Sequence, residues 1–282
     1  MIPFVNIHTH NHIDNKEVIS IQNIDIDNID NVDVSRFYSV GIHPWDVSQQ
    51  TTVNRQQSPF LETENLKTSE FERSQGRMDA GSQSYKAHSS QPIAHSTNNS
   101  QFFRFSDSQI QNISQILSFS GSQFLKAIGE CGLDRAGAGT GARRFEIQKD
   151  VFKKQIELSE QYSKPLIIHA VRTYPDIIAI RKETKAKQPW IIHGFQGNEQ
   201  SAEQLLKHDG IYLSLGEILF RNEERARRLL QIIPYDRLFL ETDVAERSII
   251  DIYEKTVSLS DVEMEKLRCD IFDNFVKIFG HI

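Results

Sequence analysis

Cysteine is scarce in this chain, which has only Cys131 and Cys269. That excludes a disulfide scaffold and a four-cysteine zinc site, and it points to a reducing compartment. Positive charge is also in short supply. The 282 residues carry a formal net charge of −6. A strongly basic nucleic-acid coat is therefore excluded, while a local basic or metal-bearing site is not. No stretch approaches the roughly 20 apolar residues of a membrane span. The opening MIPFVNIHTH has no basic start and no apolar run of signal length. Together these absences lead us to expect a soluble, cytoplasmic chain. Glycine-rich phosphate loops are missing too, which counts against an open, doubly wound nucleotide-binding sheet.

What is present divides unevenly. Between residues 48 and 101, 27 of 54 residues are Ser, Thr, Asn or Gln. Aliphatic side chains there are sparse and follow no period. Such a segment buries too little apolar surface to offset its ordering entropy. We expect a polar, disordered loop insert at 48–101 within a single domain spanning 1–282, tolerated because loop-closure entropy grows slowly with length.

Outside the insert, short apolar runs alternate with helical patterns. The runs are Pro3–His8, Val18–Gln22, Phe37–Ile42, Phe124–Glu130, Pro165–His169, Trp190–His193, Ile211–Leu215 and Arg237–Glu241. Continuous runs such as PLIIH and RLFLE suit strands buried on both faces of a parallel sheet. Helices are expected over Ser106–Phe119, Arg143–Tyr162, Asp176–Lys185, Glu199–Lys207, Asn222–Ile232 and Asp261–Phe279, with a weak pattern over Ile24–Arg36. Eight strands with intervening helices predict an α/β fold, a TIM-type (β/α)8 barrel.

Metal-capable side chains recur where these strands are expected to end. The first run leads into His8-Thr9-His10, the fourth ends in Glu130, the fifth in His169 and the sixth in His193, and the eighth leads to Asp243. In a parallel barrel all of these ends share one face. A His-x-His pair on an extended strand points both imidazoles the same way, because the side-chain period is two. His8, His10 and Asp243 could then grip one ion, His169 and His193 a second, with Glu130 bridging. Oxygen and nitrogen ligands of this kind suit two divalent ions such as zinc, manganese or magnesium.

The motifs NIHTH, GIHPW, IGECGLD, PLIIHAVR, HGFQG and LETD, in this order, resemble those of the TatD family of metal-dependent deoxyribonucleases, a branch of the amidohydrolase-like barrel enzymes. The resemblance implies the same six metal ligands. It also implies that His43 of GIHPW lines the pocket and that Arg172 touches a phosphate. Glu130 and Asp243 would be the catalytic carboxylates, Asp243 orienting a water and taking its proton. The implied substrate is DNA, attacked at an end or in single strands; a small phosphoester is the narrower option. Neither a membrane nor an obligate protein partner is expected.

The chain departs from the family pattern at Asn6, where an aspartate is usual, and at Gln196, where a small residue is usual. It also departs after LETD, where VAERSIIDIYEK replaces a Pro-containing, basic loop. Two other readings stay open: an amidohydrolase-like barrel hydrolase acting on a small phosphoester, ester or amide rather than DNA, and a non-catalytic interaction module. Trp45, Tyr174 and Phe195 could stack a base. Cys131 should face away from Glu130 into the core.

Overall fold

All eight apolar runs form strands in the computed structural model, which describes residues 2–11, 13, 15–24, 33, 35–49, 99–118, 122–137 and 141–280. The strands are β1 (Phe4–Thr9), β2 (Val18–Ile24), β3 (Phe37–Val40), β4 (Leu125–Asp134), β5 (Leu166–Val171), β6 (Trp190–Ile192), β7 (Ile211–Leu215) and β8 (Leu238–Leu240). They lie in sequence order in one sheet, and each pairs in parallel with the next. Closure comes from a parallel bridge between Thr9 and Asp243. His10 N–H donates to the Asp243 carbonyl and Asp243 N–H to the His8 carbonyl, both at 3.1 Å. Asn6 reinforces the seam, its amide donating to Thr242 Oγ1 at 2.9 Å and accepting from Thr242 N–H at 3.1 Å. The residue that stands where the family usually has an aspartate is thus part of the barrel's stitching.

The strands are continuous apolar runs because both faces are covered. Every residue of β1, β6, β7 and β8 is buried, with side chains in the barrel interior on one face and against helices on the other. The described helices are α1 (Asp46–Gln49), α2 (Asn99–Ser118), α3 (Ala142–Tyr162), α4 (Tyr174–Thr184), α5 (Glu199–Leu206), α6 (Ile218–Arg221), α7 (Glu223–Ile232), α8 (Ile249–Leu259) and α9 (Met264–Phe279). Their starts follow side-chain chemistry. Asn198 caps α5 through Ser201 N–H at 2.9 Å and Asn222 caps α7 through Arg225 N–H at 3.0 Å. Ser248 and Asp251 form a reciprocal capping box on α8, with both bonds at 3.1 Å.

Three expectations need correction. Strands β4 and β5 do not stop at Glu130 and His169 but run on to Asp134 and Val171. Helices α1, α6 and α8 are not among the expected ones. Helix α2 begins at Asn99, inside the polar segment. Most of the insert read at 48–101, and most of the weak pattern over Ile24–Arg36, lie outside the described residues. Among the described residues no helix is long and apolar enough to cross a membrane.

Candidate metal centre

Glu130 stands at the middle of the barrel mouth and is only 5% exposed. Five imidazoles reach it from four places in the chain. Its Oε1 lies 2.7 Å from His169 Nδ1, 2.7 Å from His193 Nε2 and 3.2 Å from His43 Nε2. Its Oε2 lies 3.3 Å from His10 Nε2 and 3.6 Å from His8 Nε2. Asp243 approaches from the far side, its Oδ1 3.5 Å from His8 Nε2 and 3.7 Å from His10 Nε2.

Local backbone geometry sets these directions. His8 lies within β1 and His10 one residue past it, so the two rings sit on one side, their centroids 5.1 Å apart. His193 follows the last residue of β6. Asp243 has a φ of +53°, in the left-handed region that aspartate tolerates better than most side chains. That turn folds the chain back to bridge Thr9 while its carboxylate faces the histidines.

Three sets of side chains bring their ligand atoms within 4.8 Å of one another: His8, His10 and Asp243; His8, Glu130 and His193; and His43, Glu130 and His169. All six residues read as ligands from the sequence therefore converge. His43, read as a pocket-lining residue, is drawn into contact with Glu130. Its Nδ1 accepts Trp45 N–H at 3.1 Å, so in the neutral ring the hydrogen sits on Nε2, the nitrogen that lies 3.2 Å from Glu130 Oε1. Arg172 stands apart. It is exposed just beyond β5, with a φ of +57°. Of the aromatic candidates, Phe195 is fully buried and packs on Tyr174 with centroids 5.1 Å apart. Trp45 is 49% exposed, its ring edge-on to His43 and His169 with centroids 4.9 and 5.9 Å away.

The electrostatics are those of a carboxylate cluster that calls for positive charge. Burial alone would raise the Glu130 carboxyl. The charge on His193 and hydrogen bonds from His10, His169 and His193 instead hold it well below the usual carboxylate range. Burial opposes charge on His193, yet Glu130 and Glu241 push it well above an ordinary histidine. His8 and His169 are raised in the same way, against burial, by the carboxylates they face. At 3.5–3.6 Å the His8 contacts are too long for hydrogen bonds. Both of its ring nitrogens, fully buried, have no hydrogen-bond partner. A cation among His8, Glu130 and Asp243 would satisfy Nε2. The donor set, imidazole nitrogen plus carboxylate oxygen with no thiolate, fits divalent zinc, manganese or magnesium.

Two buried carboxylates were not read from the sequence. Asp134 Oδ2 lies 3.1 Å from His169 Nε2, and Glu241 Oε1 lies 3.5 Å from His193 Nδ1 while accepting Gly194 N–H at 2.6 Å. The signal for Asp134 was its spacing of four from Glu130, which puts both on one face of an extended strand. Cys131, between those faces, is fully buried with its thiol against the Ile167 carbonyl, as expected.

A parallel barrel with ionisable side chains gathered at the carboxyl ends of its strands is the class that fold and site define. The family model described as TatD related DNase matches residues 20–280, and the chain belongs to the TatD family. The uncharacterised metal-dependent hydrolase YabD of Bacillus subtilis is 34% identical over 135 residues, 47% of this chain and 51% of that protein. YcfH of Escherichia coli K12, an uncharacterised metal-dependent hydrolase, is 31% identical over 168 residues, 54% and 62% of the two chains. The 3′-5′ ssDNA/RNA exonuclease TatD of Cronobacter sakazakii is 31% identical over 137 residues, 47% and 50%. The chain thus spans about half to three-fifths of the length of these relatives. The crystal structure of YjjV, a TatD homologue from Escherichia coli K12, superposes with a TM-score of 0.67 at 16% identity, covering 99% of this chain and 98% of that one. A TatD family hydrolase from Entamoeba histolytica gives 0.58 at 14%, covering 99% of each. At such identities the likeness establishes the barrel.

Proposed function

We propose that the chain is a metal-dependent hydrolase that cleaves phosphodiester bonds in DNA, from an end or in single strands, with two divalent ions at the barrel mouth. The observation that carries this reading is the meeting of His8, His10, Glu130, His169, His193 and Asp243 around buried ring nitrogens that lack partners. His8, His10 and Asp243 would hold one ion, His169 and His193 the other, and Glu130 would bridge. When bound, such ions acidify water and neutralise charge building on a phosphate.

Asp243 is the general base of this reading. Burial would raise its carboxyl, but His8 and His193 keep it below the ordinary range and therefore ionised, and its side chain borders an open cleft of about 570 Å³. Gln196, Glu217, Arg221 and the loop from Thr242 to Arg247 line that cleft. In this reading Arg172, exposed just beyond β5, would meet a phosphate oxygen. The exposed ring of Trp45 offers a stacking face for a base. A net charge of −6 favours a short or single-stranded substrate over a long duplex, which would demand many phosphate contacts.

The test is release of nucleotides from a 3′-labelled single-stranded oligonucleotide, together with elemental analysis of the purified chain. Release should vanish with a chelator and return with Mg²⁺, Mn²⁺ or Zn²⁺, and about two ions per chain should be found. No release with any of the three metals overturns the DNA reading. Turnover of a phosphodiester dye, a lactone or a dipeptide in its place would assign the site to another bond.

A further inference from the structure

We propose that Asp134 is a positioning residue that fixes which nitrogen of His169 faces Glu130, and that the Trp45 indole holds Asp134 to that task. The carboxylate of Asp134 is 1% exposed and is gripped on both oxygens. Oδ1 accepts Ala136 N–H at 2.5 Å and Gly137 N–H at 2.9 Å. Oδ2 accepts the indole Nε1–H of Trp45 at 2.6 Å and faces His169 Nε2 at 3.1 Å. From behind, Gln148 on α3 accepts the Asp134 backbone N–H at 3.0 Å.

The donor and acceptor inventory then leaves one arrangement for a ring that holds a metal ion. An ionised carboxylate only accepts and an indole N–H only donates. His169 lies between two carboxylates, so with a metal ion on the Glu130 side its hydrogen sits on Nε2, against Asp134, and Nδ1 turns its lone pair toward the ion beside Glu130 Oε1, 2.7 Å away. A lone pair and a carboxylate oxygen at that distance need a cation between them, a proton or a metal ion. A carboxylate behind a ligating imidazole does this in metal sites generally, and its loss costs 10–100-fold in metal affinity or activity. The loop is built to the same end. A Cβ on Gly137 would lie 2.8 Å from the Trp45 indole nitrogen, so a glycine there lets the chain close over the indole.

This inference rests on the metal reading above, and the experiment separates the two. In the Zn²⁺-loaded chain, ¹⁵N shifts of the ring report which nitrogen carries the hydrogen and which binds the ion. The wild type should show the Nε2–H form, and Asp134→Asn should lose it, because an amide nitrogen cannot accept from the ring. Calorimetric titration with Zn²⁺ or Mn²⁺ should show a 10–100-fold weaker site in Asp134→Asn. Trp45→Phe, which removes one donor from a half-exposed side chain, should fall between the two and serves as the second variant if Asp134→Asn does not fold. An unchanged ¹⁵N pattern, or affinity within twofold of wild type in Asp134→Asn, overturns the proposal. An unchanged Trp45→Phe removes Trp45 from it. A wild type that takes up no divalent ion sinks the metal reading instead, whereas ion uptake with an unchanged Asp134→Asn overturns the Asp134 proposal alone.

Discussion

The two ends of the barrel bury charge in opposite ways. At the base, where the strands begin, cationic side chains meet backbone carbonyls of the loops leading in. Arg181 donates to the carbonyls of Gln188 and Asp209 at 3.2 and 2.7 Å, Arg237 to those of Ile211 and His208 at 2.8 and 2.7 Å, and Lys164 to Leu125 at 2.7 Å. Arg268 reaches the Ile2 carbonyl and lies over the Phe4 ring. At the mouth, imidazoles and carboxylates meet one another, and His8 is left without a hydrogen-bond partner on either nitrogen. The base also has single orphans, Trp190 Nε1 and Arg268 Nε, but they are scattered and face no anionic cluster. Donors that the fold itself saturates hold the protein together. Donors that converge without partners are available to a ligand.

Three substitutions press on this contrast, in descending order of effect. Glu130→Ala at the mouth should lower nucleotide release by at least ~100-fold, since even an outer partner of a ligand is worth 10–100-fold. Metal content should collapse while the circular dichroism stays native. Full metal occupancy in this variant would break the distinction. Trp190→Ala at the base should do the reverse. The ring is fully buried, 5.5 Å from the Phe152 ring and under the Arg181 guanidinium, so denaturant unfolding should register a loss of about 3–5 kcal/mol. Activity per folded molecule should remain. Ser248→Ala sharpens the comparison at lower cost. It removes the cap of α8 beside the mouth, and the same unfolding measurement should show about 1 kcal/mol.

How much of this the sequence discloses depends on the range of the interaction. Strands and barrel are legible because continuous apolar runs such as PLIIH and WIIH are dictated by burial on both faces, a local pattern. The ligand set is legible because parallel strands deliver their carboxyl ends to one face, so each residue could be read separately. Strand ends were harder. β4 continues four residues past Glu130 because Leu133 and Cys131 pack in the core while Asp134 stays on the Glu130 face, and ending the strand early hid Asp134. Helix α8 carried a readable start in Ser248 and Asp251, and its omission was a missed signal. The bond from Trp45 to Asp134 spans 89 positions, and no local pattern encodes it.

The seam between the first and last strands has a consequence for biosynthesis. His8 and His10 leave the ribosome early, and Asp243 and Thr242, which lock them in place, leave late. A nascent or C-terminally shortened chain that lacks β8 has the early histidines but not their anchor. Such a chain lacks both the bridge to Thr9 and the carboxylate that faces His8 and His10.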